Sequence, residues 1–359
     1  MEGVTDSALL IVIPLLAAAC AAGSHLAALR LFPRWGLLDF PERYGLQRGR
    51  LPYPTGIIAV ITFLAFFLAL EPFTPKAAGL AAAIAILGAS SFLDDRAPLP
   101  PLLRLGVQAT AGSLVFLSGT HIYTLTNPLP SLGGEVISLD ILSPVVPGIG
   151  SVPVLSGIFT VFWLGLTINA LNWFDGIPGQ VSTLSTIGFL TIGFLSLSER
   201  VGQPQLALLA FVLAGIAAAS LLFDFPPPKV VVGDTGAMFF GLMLGVLTIY
   251  AGGKVATAFL VLGVPLIDLF LVVLRRVMKR RSPLKGSARG EHLHHRLLAR
   301  GWNPRSVILL TAGIGTVFGS AAIFMDTYQK FLAGLALLAL MVLLTIYSRP
   351  RQTDSVRGL

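Results

Sequence analysis

The chain has 359 residues, of which 55% are hydrophobic and only 12% are charged, and its formal net charge is +8. A soluble domain of this size carries charged residues at roughly twice that frequency. Because the apolar residues form long runs between short polar segments, the composition excludes a soluble domain and indicates a membrane protein. The positive charge does not indicate a nucleic-acid partner, since the basic residues are confined to particular connections between the runs. A single cysteine, Cys20, excludes an internal disulfide and a cysteine-based metal site.

Eleven apolar runs are long enough to cross, or nearly cross, a membrane, and because several are near the short limit a count of ten also fits. We therefore predict an all-α integral membrane protein in which residues 1–359 form a single polytopic domain. The predicted spans are 8–32, 55–71, 77–93, 104–119, 154–172, 181–197, 205–222, 235–250, 255–275, 306–325 and 330–347.

The connections between the runs alternate between basic and non-basic, which predicts the orientation of the chain. One alternate set, which includes 33–54, 276–305 and the tail 348–359, holds 21 of the 25 Lys and Arg residues together with the adjoining helix ends. Basic connections stay in the cytoplasm, so we predict an outside N-terminus, a cytoplasmic C-terminus and an odd number of spans. On the opposite side, the long connection 120–153 alternates through 134–139, which predicts a short extracytoplasmic β-hairpin.

The unusual polar residues of the chain fall on the predicted cytoplasmic side, where a functional site is the default hypothesis. Asp94 and Asp95 end the third span. Adjacent carboxylates repel each other unless they share a cation or a proton, so the pair is a candidate for chemistry. The alternative is a solvated helix end with Arg96 as the partner of the pair.

Two further groups carry oxygen ligands that suit Mg²⁺. Asn169 and Asn172 share a helix face, with Asp175 one turn further on. Asp234 lies between two glycines at a helix start, where exposed N–H groups can meet a phosphate. Amide and carboxylate oxygens are ligands for a hard cation. The alternatives are interhelical hydrogen bonds of the asparagines and a plain tight turn with Asp234 as helix N-cap.

Three histidines, His292, His294 and His295, lie in the basic connection 276–305, and residues 275–305 carry ten Lys and Arg. Histidines so close together could bind zinc, but cationic surroundings disfavour a metal cation and favour an anion such as phosphate. Anchoring to anionic lipid headgroups is the alternative. Cation ligands, glycines and a basic loop on one membrane face together indicate phosphoryl transfer between an anionic cytosolic substrate and a lipid.

In these motifs the chain resembles the polyprenyl-phosphate N-acetylhexosamine-1-phosphate transferases. The resemblance spans most of the chain, and the motifs follow the family's order. They are residues 36–41, Asp94-Asp95 with Arg104 and Gln108, residues 169–179, residues 232–236, residues 265–268 and residues 292–295.

The resemblance implies Mg²⁺, with Mn²⁺ as a substitute, held by Asp234 and Asn172. It implies a catalytic set of Asp94, Asp95 and Asp234, in which the first two handle the lipid phosphate. Arg104 stands where the family usually has Lys. The substrate-binding residues implied by the resemblance are Arg104, Asn169, Asp175, His292, His294, His295 and Arg296.

The resemblance also implies the reaction. A HexNAc-1-phosphate, GlcNAc-1-phosphate as the first expectation, passes from a UDP-sugar to undecaprenyl phosphate on the cytoplasmic face of the plasma membrane, and UMP is released. The pattern of residues 292–295 is closer to the GlcNAc-1-phosphate branch than to the branch that uses UDP-MurNAc-pentapeptide, which has a His triplet. Departures at 43–46, 52–57 and Pro178 leave the exact sugar open, and a homodimer is left open as well.

Two alternatives are not enzymes. A transporter could use Asp268, inside the ninth predicted span, as an ion or proton site. However, transporters place their key polar residues near the midplane, and here one side holds nearly all of them. A scaffold with a basic recruiting loop leaves the Asp and Asn groups unexplained. For Asp268 the further alternative is a structural hydrogen bond to a neighbouring helix.

Overall fold

The structure is a computed structural model that describes residues 7–44, 48–129, 134–146, 150–252, 255–282 and 290–349. The predicted loop 276–305 therefore has its residues 283–289 outside the described residues, as has the predicted tail from 350 onward. The helices are α1 (Leu9–Arg34), α2 (Gly56–Leu70), α3 (Pro75–Arg96), α4 (Pro101–Leu117), α5 (Val154–Phe174), α6 (Gln180–Leu197), α7 (Pro204–Asp224), α8 (Gly233–Tyr250), α9 (Val255–Val261), α10 (Gly263–Met278), α11 (Leu293–Ala299), α12 (Pro304–Phe324) and α13 (Thr327–Tyr347).

Eight of these helices are long and apolar enough to cross a membrane, and counting the bent pair α9–α10 as one more span raises the number to nine among the described residues. The chain is thus a multi-pass membrane protein. The helices α2 and α4 are apolar but shorter. Every predicted span has a helical counterpart, whereas the count of eleven spans and the orientation of the chain stay predictions.

The predicted span 255–275 is not one straight helix. α9 ends at Val261, α10 begins at Gly263, and their axes differ by 86°. Pro265 has no N–H to donate to the carbonyl of Val261, so the helical hydrogen-bond ladder is interrupted at this point. The continuous apolar run concealed this break, although Gly263 and Pro265 were its signal in the sequence.

Two short antiparallel strand pairs lie in the connection between α4 and α5. The strand β1 (Thr124–Thr126) pairs with β2 (Val136–Ser138), and β3 (Val145–Val146) pairs with β4 (Gly150–Ser151). The strand β2 lies within the alternating stretch 134–139. The side of the membrane on which these strands lie stays a prediction.

The helix α8 is the centre of the bundle and packs against α2, α3 and α5. Of its most apolar stretch 89% is buried, against 22% for α1 and 11% for α13, which lie at the periphery. The start of α8 touches the start of α2, because a Cβ on Gly56 would lie only 2.1 Å from the backbone nitrogen of Gly236. Only glycine allows this approach.

The segment that precedes α2 is hydrogen-bonded to the segment that precedes α8. Val231 N donates to Pro52 O at 3.0 Å, and Gly56 N donates to Val232 O at 2.9 Å. These bonds fix Tyr53 beside the end of α3. The polar residues of α3, α5 and α8 consequently meet at one end of the bundle.

Candidate active site

The first turn of α8 is held by the carboxylate of Asp95. Its Oδ1 accepts from Tyr53 Oη at 2.5 Å and from Asp234 N at 3.0 Å. Its Oδ2 accepts from Thr235 N at 2.9 Å and from Thr235 Oγ1 at 2.5 Å. A carboxylate near a helix N-terminus also interacts favourably with the helix dipole. Asp95 therefore positions the chain around Asp234.

The guanidinium of Arg104 joins the other two carboxylates of the site. Its Nε lies 3.1 Å from Asp94 Oδ2, and its Nη2 lies 2.7 Å from Asp234 Oδ2. Asp94 is buried, and its Oδ1 accepts from Leu99 N at 2.6 Å. Arg96 instead donates to Gly36 O at 2.8 Å, so a pairing of Asp94 and Asp95 with Arg96 is not what the structure has.

The end of α5 adds an amide to this group. With its nitrogen facing Asp234, Asn172 donates to Asp234 Oδ1 at 3.1 Å and accepts from Arg104 Nη2 at 2.9 Å. Asn169 faces a different partner, because its Nδ2 donates to Gln108 Oε1 on α4 at 2.6 Å and to Gly165 O at 2.8 Å. Asn169 thus makes the interhelical hydrogen bond that was the alternative to a metal site, and of the two asparagines Asn172 is the one that contacts Asp234.

The carboxyl group of Asp175 follows α5 and faces the same group of acids. Burial, followed by the nearby carboxylates of Asp234, Asp224 and Asp95, raises the pKa of Asp175 well above its usual range. A cation bound among these oxygens would reverse that effect. The site therefore carries more negative charge than its described protein cation, Arg104, compensates.

The histidine segment begins immediately before α11. His292 Nδ1 lies 2.7 Å from Asp268 Oδ2 on α10, and Leu293 N donates to Asp268 Oδ1 at 3.0 Å. Glu291 forms an ion pair with Arg276, also on α10. The histidine segment is consequently attached to α10 through the charged residues Asp268 and Arg276.

His294 is fully enclosed within the segment that sequence analysis proposed for anion binding. Only 2% of it is exposed, and neither ring nitrogen has a partner among the described residues. Burial, followed by His295 and His292, lowers the pKa of His294 well below its usual value. The ring lies so close to Gly176 that a Cβ there would be 1.9 Å from Nε2. His294 is thus a neutral ring held against the backbone that follows α5.

The end of α5 connects the carboxylate group to the histidine segment. Asn172 bonds Asp234. The ring of Trp173 makes a T-shaped contact with that of His292 at a centroid separation of 5.6 Å, and the ring of Phe174 makes one with that of His294 at 6.3 Å. Three successive residues thus reach both groups. The predicted site residues thus lie in one region of two polar groups, which the end of α5 joins.

The last two predicted residues lie at the edge of this region. The ring of His295 is 4.2 Å from that of His294. Arg296 Nε donates to Gly290 O at 3.0 Å. Both side chains are half-buried and can meet a ligand from the outside.

A metal site built wholly from protein is not present in the described ranges, since no three His, Cys, Asp or Glu side chains converge there. Mg²⁺ nevertheless usually takes one or two carboxylates and completes its coordination with water and substrate phosphates. Asp234 supplies one carboxylate, and a half-turn of the Asn172 amide places its oxygen beside it. These residues fit Mg²⁺ that arrives with a diphosphate.

Sequence reasoning missed the supports of the site. Tyr53 and Thr235 hold Asp95, and Gln108, quoted only as part of a motif, holds Asn169. Tyr53 was seen only as a departure from the family pattern. The carboxylate of Asp268 is hydrogen-bonded to His292 and to Leu293 N at the start of α11, which agrees with the alternative of a structural hydrogen bond and not with an ion site.

The fold and the site define a multi-pass membrane protein with acidic and basic groups gathered at one end of the bundle. The family model described as Glycosyl transferase family 4 matches residues 77–252. Over these residues the chain is similar to this family.

Three relatives carry descriptive names. A probable undecaprenyl-phosphate N-acetylglucosaminyl 1-phosphate transferase of Bacillus subtilis is 31% identical over 193 residues, 52% of this chain and 53% of the relative. The chain thus matches about half the length of that protein. A decaprenyl-phosphate N-acetylglucosaminephosphotransferase of Mycolicibacterium smegmatis is 29% identical over 90% of this chain and 85% of the relative. An undecaprenyl-phosphate alpha-N-acetylglucosaminyl 1-phosphate transferase of Escherichia coli K12 is 26% identical over 86% and 81%.

Proposed function

We propose that this protein transfers GlcNAc-1-phosphate from UDP-GlcNAc to a polyprenyl phosphate and releases UMP. The observation that carries the proposal is the meeting of Asp94, Arg104 and Asp234 with the histidine segment at the end of α5. The names of the three relatives support the sugar and the lipid. The lipid product is the first membrane-linked intermediate of a cell-envelope polysaccharide.

The reaction is a direct displacement at phosphorus. An oxygen of the polyprenyl phosphate attacks the β-phosphorus of UDP-GlcNAc, a new P–O bond forms, and the bond from that phosphorus to the bridging oxygen breaks. UMP leaves with the electron pair. A phosphate monoester has a second pKa near 6, so the attacking oxygen is mostly ionised at neutral pH and needs no strong base.

Repulsion between the anionic lipid phosphate and the anionic diphosphate is the main barrier. Arg104 offsets it from the side of Asp94, and His292, His294 and Arg296 meet the diphosphate from the other side. Mg²⁺ held by Asp234 and Asn172 would supply further charge neutralisation of the diphosphate. Asp94 positions the lipid phosphate or takes its residual proton, while Asp95 keeps Asp234 in place.

The distribution of basic residues supports a cytoplasmic site in the plasma membrane, with eleven spans, an outside N-terminus and the β-strands on the outer face. The described part of the basic connection, with Arg275, Arg276 and Arg296, lies at the same end of the bundle as Asp234. A sugar nucleotide made in the cytoplasm then reaches the site without crossing the membrane.

The test is UMP release by purified protein with Mg²⁺ and undecaprenyl phosphate, using UDP-GlcNAc and, in parallel, other UDP-HexNAc donors and UDP-MurNAc-pentapeptide. We expect release with UDP-GlcNAc that depends on both lipid and metal. Asp234→Ala is expected to remove activity more completely than Arg104→Lys, because lysine keeps a positive charge beside Asp94. Near-normal turnover in both variants contradicts the assigned roles.

A further inference from the structure

Asp268 and His292 form a buried carboxylate–histidine pair at a distance from Asp94 and Asp234 in the sequence. Only 3% of Asp268 and 1% of His292 are exposed, and Nδ1 and Oδ2 are 2.7 Å apart. The second carboxylate oxygen accepts from Leu293 N. Both oxygens of Asp268 are therefore bonded to the histidine segment, one to a ring and one to the backbone.

The pair determines which nitrogen of His292 faces a ligand. A carboxylate only accepts hydrogen bonds, so Nδ1 must carry a hydrogen and donate it. Nε2, on the opposite side of the ring, is buried and has no partner among the described residues. Buried polar atoms are nearly always hydrogen-bonded, so Nε2 is available to a ligand that enters the site.

The ring of His292 is also fixed by its neighbours. It lies parallel to the ring of His294, with 5.6 Å between centroids and 5° between planes, and makes a T-shaped contact with the ring of Trp173. Trp173 follows Asn172, which bonds Asp234. His292 is therefore held between α10 and the residues proposed to bind the diphosphate.

We propose that Asp268 is a positioning residue, which fixes the orientation of the His292 ring and stabilises its doubly protonated form, so that Nε2 donates to a phosphate oxygen of the bound substrates. This inference rests on the proposed function. Phosphate oxygens accept hydrogen bonds, so this contact requires a proton on Nε2 as well, and Asp268 then compensates the charge of the ring. Among the described residues, the charged or titratable groups beside this pair include His294, Arg275 and the ion pair of Arg276 with Glu291.

The variant Asp268→Asn separates positioning from simple support. The asparagine oxygen can still accept from Leu293 N, but its amide nitrogen donates to Nδ1 and keeps the ring neutral. Nε2 then still carries a hydrogen, but the positive charge that Asp268 stabilises is lost. For histidines that bind a metal, loss of such an orienting partner typically lowers activity about ten- to hundredfold, and we take the same scale for a histidine that binds phosphate. We expect a fall of this size in kcat, with the KM for UDP-GlcNAc within about threefold of wild type, because the charge develops in the transition state.

The decisive comparison uses UMP release by Asp268→Asn, His292→Gln and the double variant. If Asp268 acts through His292, the double variant is no less active than His292→Gln alone. The variant Asp268→Glu keeps the carboxylate. Its kcat is expected to exceed that of Asp268→Asn only where His292 is present. Asp326→Asn makes the same chemical change at the N-cap of α13, where asparagine also caps well, and is expected to match wild type.

Wild-type kcat in Asp268→Asn, or losses that add in the double variant, overturns the positioning role while the proposed function stands. Should Asp268→Asn fail to fold, Asp268→Glu with and without His292→Gln decides by the same criterion. No UMP release by folded wild-type protein overturns the proposed function, and the positioning role with it.

Discussion

The variant Gly176→Ala tests whether the position of the His294 ring matters. The added Cβ would lie 1.9 Å from His294 Nε2, 2.5 Å from Cδ2 and 2.8 Å from Cε1, whereas ordinary contact begins at 3.4 Å. The ring must therefore retreat by about 1.5 Å, the difference between 3.4 and 1.9 Å. His294 is enclosed by Phe174, His292 and His295, so it cannot move without moving them.

A displacement of about 1 Å in a positioning group can lower the rate of an enzyme about a hundredfold. We therefore expect the kcat of UMP release to fall about a hundredfold in Gly176→Ala, which is about 2.7 kcal/mol of transition-state stabilisation. Gly313→Ala is the matched control, because a Cβ at that position in α12 meets nothing within 4 Å. Wild-type kcat in a folded Gly176→Ala protein refutes the assignment of His294 to the site.

Three predictions concern stability, measured as the thermal midpoint in detergent. Asp95→Asn should lower the free energy of unfolding by about 2–3 kcal/mol, because an amide oxygen cannot accept from all four donors that the carboxylate bonds. Adding Tyr53→Phe to this variant should cost little more, since the bond to Tyr53 is already weakened. Losses of the two substitutions that add in full contradict this prediction. Gly56→Ala should separate α2 from α8 and fail to fold stably, unlike Gly313→Ala, so normal stability counts against the close packing. Because the pKa of His294 is lowered in the folded protein, the unfolded chain binds a proton at this residue first as the pH falls. The free energy of unfolding should be full above about pH 6.5 and should fall below that pH by at most about 1.4 kcal/mol per pH unit. An equal loss of stability in acid for His294→Gln contradicts this role of His294.

The helices were largely predictable because lipid imposes long apolar runs on the sequence. Every predicted span coincides with a helix or a bent helix pair. The break between α9 and α10 was missed, because apolar length was weighed above the signal of Gly263 and Pro265. The strand pairs between α4 and α5 are short. The alternation at 134–139 indicated the pair that contains β2, and no pattern indicated the other pair.

The candidate site was predictable as a set of residues and less so as a set of partners. The side chains of neighbouring residues on a helix point about 100° apart, so those of Asp94 and Asp95 face different partners. Accordingly Asp94 faces Arg104, whereas Asp95 faces the start of α8. Spacing along one helix shows which side chains share a face, but the partner across the bundle depends on tertiary packing. Tertiary packing likewise gives Asn169 and Asn172, which share a helix face, different partners: Gln108 and Asp234.

The histidine segment shows the same limit. Its basic surroundings and clustered rings were visible in the sequence, and they predicted an anion site. The tie to Asp268, 24 residues earlier, was not visible, because α10 and the start of α11 meet only in the folded chain. An acid in an apolar helix was therefore first considered as an ion site.

The most direct test of the central claim follows the two phosphates of the donor separately. Purified wild-type protein is given undecaprenyl phosphate, Mg²⁺ and UDP-GlcNAc that is labelled at either the α- or the β-phosphate. We predict that the β-label moves into the lipid with the sugar while the α-label leaves as UMP. A β-label that stays with the nucleotide, or no lipid product from folded protein, contradicts sugar-1-phosphate transfer.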